Sequence, residues 1–255
     1  MTRPVTVTLC ALHGVPMIEP GCDLARVIVD ALHSTGERLR EGDIVVLAQK
    51  IVSKAENRLV ALDSVAPSPE AIELAAQCDK DPRLVELILS ESQEVMRVRK
   101  GALIVRHRLG IVLANAGIDQ SNIDQEREAA LLLPVDPDAS AAKLRAGLRA
   151  ATGVGPAVLI IDSLGRAWRT GTTGTAIGIA GMPGLLDLRG RPDLHGRPLA
   201  SSELGLADEV AAAASLVMGQ ADEGRPIILV RGVGLARRDG SAAELIRPRH
   251  LDLFP

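Results

Sequence analysis

The spacing of apolar positions changes repeatedly along the chain, and each change marks an element. Val5–Leu9 alternates apolar and polar residues and predicts a strand. Leu24, Val27, Ile28, Ala31 and Leu32 recur at helical spacing, with Asp23 placed to cap the first turn. Gly42-Asp43 opens a run that predicts a buried strand, Ile44–Ala48. Ser68-Pro69 and Asp81-Pro82 each set a capping side chain before a proline at the first helical position, so two short helices are expected. Glu94–Val98, Ala102–His107 and Ile111–Asn115 are β-like, and turns at Lys100-Gly101 and Leu109-Gly110 make them a meander.

Further along, a helix is expected over roughly Ala141–Ala150 and an apolar strand at Ala157–Ile161. The Gly/Thr-rich stretch Thr170–Thr175 reads as a loop. Ser201 or Ser202 is placed to cap a long helix reaching about Met218, and Ile227–Val230 predicts a last buried strand. Gly190–Pro198 reads as a loop or hairpin, and equally as a lobe boundary. Strands and helices are mixed without a regular βαβα alternation. The fold class expected is therefore α+β, with irregular mixed sheets and helices.

Composition narrows the function classes. The 255 residues are 47% apolar and 24% charged, with a net charge of −3, so no general grip on nucleic acid or anionic membrane is implied. One Phe, one Trp and no Tyr exclude an aromatic platform for stacking bases. Cys10, Cys22 and Cys78 are widely spaced, which disfavours a disulfide framework or a thiolate zinc site and fits a reducing cytoplasm. The first thirteen residues lack the apolar core of a signal peptide, and no apolar run has the length of a membrane span. There is no P-loop, no complete Gly-x-Gly-x-x-Gly and no Gly-x-Ser-x-Gly elbow. A P-loop or Rossmann fold is accordingly not expected.

Candidate chemistry lies where acids follow apolar runs. Ile160-Ile161 leads into Asp162-Ser163, two hard oxygen donors of the kind Mg²⁺ or Mn²⁺ prefers, although Asp162 is equally consistent with capping a turn. Arg166 and Arg169 follow closely, flanking Trp168, and their forks suit phosphate or carboxylate. Asn115–Asn122 offers Asp119 as a second ligand and Asn122 as a nucleotide contact, or a plain Asx-rich turn. Asp136, Asp138 and Ser140 suit a helix N-terminus. Lys50 and Lys54 leave the strand opened at Gly42 and could meet phosphate or solvent.

Together these stretches resemble the coenzyme F420:L-glutamate ligase family, also called F420-0 γ-glutamyl ligase. The resemblance rests on His13–Ile18, Gly42–Val46, Lys50–Lys54, Ala116–Asn122, Leu133–Ser140, Asp162–Arg169 and Val217–Glu223, in family order. It implies a GTP-dependent ligase that adds L-glutamate to the deazaflavin precursor F420-0 through an acyl phosphate, releasing GDP and phosphate. It further implies that Asp119, Asp162 and Ser163 hold two divalent ions, Mg²⁺ or Mn²⁺, with K⁺ as a further cation. Val15, Pro16, Met17, Ile18, Gln49, Lys54 and Asn122 are implied to line the GTP site, with Gly219 and Gln220 in the same region. Arg166 and Arg169 are expected to bind phosphate or substrate carboxylate.

Two departures from the family pattern stand out. Ser163 replaces the commoner Thr but keeps the hydroxyl, and Gln49 stands where Ser is frequent. A single domain over 1–255 is expected, made of two intertwined lobes and forming a homodimer, without the C-terminal flavin-reductase-like domain of some relatives.

Overall fold

The computed structural model describes residues 5–120, 128–234 and 238–252. In chain order the elements are β1 (Thr8–Ala11), α1 (Leu24–Thr35), β2 (Ile44–Ala48), α2 (Gln49–Ala55), β3 (Leu59–Ala61), α3 (Pro69–Cys78), α4 (Pro82–Ser90), β4 (Ser92–Arg99), β5 (Ala102–His107) and β6 (Val112–Ala114). They continue with β7 (Ala129–Leu131), α5 (Pro137–Thr152), β8 (Ala157–Arg166), β9 (Arg169–Ala180), β10 (Leu186–Asp187), β11 (Glu203–Leu204), α6 (Leu206–Met218) and β12 (Ile227–Arg231). The architecture is α+β, as expected.

A five-stranded mixed sheet in the order β1-β12-β2-β8-β9 organises the molecule. Only β2 and β8 run parallel; their neighbours pair antiparallel. Val45 and Leu47 of β2 face a core shared with Ile28 of α1 and Leu148 of α5. Ile44 and Val46 face the opposite core, shared with Val210 and Ala214 of α6. Both faces of β2 are covered, so its sequence is an unbroken apolar run rather than an alternating one.

The long crossover from β2 to β8 carries a separate cluster. There α3 and α4 pack Ala71, Ala75, Val85 and Ile88 on Leu103 and Val105 of the β4-β5-β6 meander. The predicted caps are in place. The Asp23 side chain accepts from the Ala25 and Arg26 amides at 3.0 and 3.2 Å. Ser68 accepts from Ala71 and Asp81 from Arg83, each with proline opening the helix.

Four local expectations are corrected. The first strand begins at Thr8, three residues beyond Val5. Residues after Ala48 turn at once into α2 instead of trailing from the strand. The stretch Thr170–Thr175 is strand, not loop, because helices press on β9: a Cβ at Gly174 would overlap the Ala211 carbonyl of α6, and one at Gly178 would lie 2.5 Å from the Pro137 carbonyl opening α5. A bulge in the β8–β9 ladder, where Ile160 pairs Gly178 and Ile161 pairs Ala176, leaves Ile177 extra and lets one strand serve both layers.

The last correction concerns α6. It starts after Gly205, not at Ser201 or Ser202, since Ser202 is committed to a hairpin through the Leu188 amide at 3.0 Å. That hairpin contains Gly190–Pro198, whose Gly190 and Leu199 exchange backbone bonds with Leu199 and Arg191. Among the described residues no helix is long and apolar enough to cross a membrane.

Candidate functional site

β2 ends at Ala48, in parallel register with Ile161, and β8 runs on past that point to Arg166. A cleft of about 510 Å³ lies there. Its walls include Met17, Gln49, Lys50, Lys54, Asp119, Asp162, Ser163, Gly219, Gln220 and Arg225. Crevices at the carboxyl ends of such strands are where sheet proteins commonly hold ligands.

Asp119 reaches the cleft by way of a sharply shaped turn. Asn115, Ala116 and Gly117 all have positive φ, at 52°, 54° and 67°. The Asn115 side chain accepts from the Leu103 amide at 3.1 Å and holds the turn to β5. A Cβ at Gly117 would lie 3.0 Å from methyls of Leu113 and Leu133, which would have to give way for it. Two residues on, the Asp119 backbone exchanges bonds with Leu131 at 3.0 and 2.8 Å, which fixes its position against β7. The Asp119 carboxylate is ion-paired with the Lys50 ammonium from the first turn of α2.

Asp162 and Ser163 were expected at a strand end. They lie within β8, which continues to Arg166. Strand alternation puts Asp162 on the same side as Val158, Ile160 and Leu164, all members of the α1/α5 core. Burial raises its pKa most strongly and the Asp119 carboxylate raises it further. A bond from the Ser163 amide at 2.8 Å and the charge of Lys50 pull the other way, and the net value is about 6. Asp119 acts on Asp162 because both line one cleft. Ser163 is exposed at the cleft.

The far rim is the turn after α6. Gly219 has φ 76°, and the place a Cβ would take is filled by the Glu223 carboxylate, which also accepts from the Ala221 amide at 2.8 Å. The Thr172 hydroxyl donates to the Gln220 side-chain oxygen at 2.6 Å, tying this rim to β9. Asp222 and Glu223, from the segment Val217–Glu223 but given no role there, line the cleft together with Arg225, which lies beyond that segment. The signal for them was the turn-rich stretch between the end of α6 and Pro226.

The other predicted residues divide. Met17 is exposed and lines the cleft, whereas Ile18 is buried in the core, Val15 packs against it and Pro16 faces solvent. Gln49 is buried, with its side-chain oxygen accepting from the Ser53 hydroxyl at 2.8 Å. Arg166 and Arg169 face each other at the β8–β9 turn and are not part of the cleft wall. Arg166 reaches back to the Thr170 and Gly171 carbonyls, and Trp168 between them is 88% exposed. The strand runs about 13 Å between Asp162 and Arg166. Asp136 and Asp138 serve α5: Asp136 caps it, and Asp138 accepts from the Ile179 and Ala242 amides. Asn122 lies outside the described residues.

Among the described residues no group of three His, Cys, Asp or Glu converges. The hard-oxygen set of Asp119, Asp162 and Ser163 nevertheless fits Mg²⁺ or Mn²⁺, because such ions keep several waters and take one or two carboxylates plus substrate phosphates. The two acids face each other's charge in the same cleft, and a cation there would relieve the repulsion that helps raise Asp162.

The family model for F420-0:Gamma-glutamyl ligase matches residues 14–232. A coenzyme F420:L-glutamate ligase from Methanothermobacter thermautotrophicus is 48% identical over 250 residues, covering 97% of this chain and 98% of the relative. Proteins of the same name from Methanopyrus kandleri and Archaeoglobus fulgidus are 44% identical over 241 residues and 40% over 248. The alignments cover 93% of both chains in the first case, and 97% of this chain and 96% of the relative in the second. The matched span takes in Met17, Lys50, Asp119, Asp162 and the Gly219 rim together, and the chain belongs to the F420-0:gamma-glutamyl ligase family.

Proposed function

We propose that this chain joins L-glutamate to the deazaflavin precursor F420-0 through an amide bond, driven by GTP. The observation that carries the reading is the convergence of Asp119 and Asp162, from distant parts of the sequence, in one cleft with Lys50 and Lys54. The names of the relatives supply the substrate class.

Phosphoryl transfer asks a protein mainly for positioning and charge neutralisation. A carboxylate oxygen of F420-0 attacks the γ-phosphorus of GTP, the bond to the β-phosphate oxygen breaks, and GDP leaves with the electron pair. The free amine of L-glutamate then attacks the acyl carbon. The C–N bond forms, the C–O bond to phosphate breaks, and the amine proton is lost as phosphate departs. Lys54 and Lys50 bring positive charge to the phosphate chain. Asp119, Asp162 and Ser163 would hold divalent metal, which when bound shields phosphate charge and aligns the nucleotide. Met17, Gln49, Gly219, Gln220 and Arg225 wall the nucleotide, with Val15, Pro16 and Ile18 setting the segment that carries Met17 and Asn122 as a further nucleotide contact.

Arg166 and Arg169 stand outside the cleft wall at the β8–β9 turn, so the phosphoryl step is not assigned to them. The family resemblance makes the working form a homodimer, which light scattering tests.

Mass spectrometry of a reaction holding GTP, Mg²⁺, L-glutamate and F420-0 tests the proposal. Addition of one glutamyl mass with matching GDP release supports it; nucleotide binding without glutamylated product defeats it.

A further inference from the structure

A second charged cluster stands apart from the cleft wall. Its centre is Glu91, the buried residue that follows α4. A carboxylate is taken out of water at a cost unless cations and donors surround it. Arg58 Nη2 donates to Glu91 Oε1 at 2.8 Å, and Arg108 Nε donates to Oε2 at 2.9 Å. The fully buried His107 ring accepts from the Leu109 amide through Nδ1 at 3.0 Å, and its Nε2 lies 3.5 Å from Glu91 Oε2.

Both arginines direct further donors at one stretch of backbone. Arg58 Nε donates to the Leu133 carbonyl at 2.8 Å. Arg108 Nη2 and Nη1 donate to the Pro134 and Val135 carbonyls at 3.1 and 2.5 Å. The Leu132 amide donates to the Arg58 carbonyl at 3.1 Å. Leu132 to Val135 are thus fastened, residue by residue, to two arginines that one carboxylate orients.

This stretch continues β7 directly. The last residue of β7, Leu131, exchanges both backbone bonds with Asp119 and pairs with Leu59 of β3. Arg58 precedes Leu59, and its amide donates to the Ser53 carbonyl of α2 at 2.9 Å. The cluster therefore ties together the two sides of the Lys50–Asp119 pair: the helix that carries the lysine and the strand that carries the acid. A guanidinium fork is fixed by the carboxylate it faces. Without Glu91, neither arginine is held to its carbonyls.

We infer that Glu91 is a positioning residue for Asp119, acting through Arg58 and Arg108 on the Leu132–Val135 segment. Its effect on turnover rests on the ligase reading above; the positioning itself is read separately.

The test follows amide hydrogen exchange at Asp119 and Leu131 by NMR in the full chain. Wild type is compared with Glu91→Gln and with Ile228→Ala, a cavity in the core on the α6 side of the central sheet. Protection factors are taken at the same interval below each protein's thermal midpoint, so that overall stability is matched. Both amides are expected to lose at least tenfold more protection in Glu91→Gln than in Ile228→Ala. Arg58→Lys keeps a charge facing Glu91 but loses the fork to Leu133, and is expected to fall between wild type and Glu91→Gln; it supplies the reading if Glu91→Gln does not fold. On the ligase reading, kcat in Glu91→Gln is at least tenfold below that of Ile228→Ala. Protection in the folded variants equal to that of the control overturns the inference. Selective loss of protection in a protein whose wild type makes no glutamylated product supports the positioning role and defeats the proposed function.

Discussion

Lys50 and Asp119 are joined by an ion pair that links the first turn of α2 to the segment bridged to β7. The pair stands at the cleft, with both side chains partly open to solvent. Exposed pairs of this kind contribute about 1 kcal/mol or less to folding. Its importance on the proposed reading is for charge arrangement rather than stability.

Asp119→Asn and Asp162→Asn are therefore expected to reduce ligase turnover by about a hundredfold or more, because each removes a charge from the proposed metal site. Neither should lower the unfolding free energy by more than about 1 kcal/mol. Coupled product detection and urea unfolding separate the two effects. Near-normal turnover in either variant contradicts the role given to these acids.

Chelation offers an independent check. EDTA is expected to stop product formation and leave the fold unchanged, and added Mg²⁺ or Mn²⁺ is expected to restore the rate. Activity that persists after exhaustive chelation is incompatible with a divalent ion on Asp119 and Asp162.

Gly174→Ala tests the packing that converts a Gly/Thr-rich stretch into strand. The new methyl meets the backbone of α6 at Ala211, which cannot rotate away. Overpacking of this kind costs about 1–3 kcal/mol. Because β9 is paired with the stretch of β8 that holds Asp162, turnover should fall together with the thermal midpoint. An unchanged midpoint would show that α6 yields without cost.

Acid stability depends on Glu91. Burial by itself raises its pKa, but the His107 ring 3.5 Å away and bonds from Arg58 and Arg108 outweigh that and hold it at about 2 against an ordinary 4.5. The unfolded chain therefore binds a proton at higher pH than the folded one. The contribution is complete above pH 4.5 and is lost as pH falls from there toward about 2. It is on the order of 3 kcal/mol. Glu91→Gln should flatten this part of the stability profile, as measured by urea midpoints across the acid range. A profile unchanged in that range would contradict the network.

Much of the fold is legible locally. The capping pairs at Ser68-Pro69 and Asp81-Pro82 announce α3 and α4 because cap and proline chemistry is settled within four residues. The uninterrupted Ile44–Ala48 run reads correctly as a covered strand. What local pattern does not carry is contact between distant segments. Gly174 and Gly178 look like loop residues until α6 and α5 are laid upon them. Lys50 looks like a strand-end lysine until α2 turns it toward Asp119. Arg166 and Arg169 look close to Asp162 when counted in residues, yet an extended strand carries them away from it. The acids were legible as chemistry, and only the fold shows that they meet.

The β8 backbone does two jobs with one rhythm. Val158 and Ile160 fill the interior, and the next step of the same alternation aims Asp162. The orientation of the acid is thus inherited from the parity of the hydrophobic run before it. Inserting or deleting a single residue between Ala157 and Asp162 would turn the carboxylate to the α6 side and the Ser163 hydroxyl to the other, while a two-residue change would preserve both. The chemistry at this edge is therefore bound to the length of a core strand.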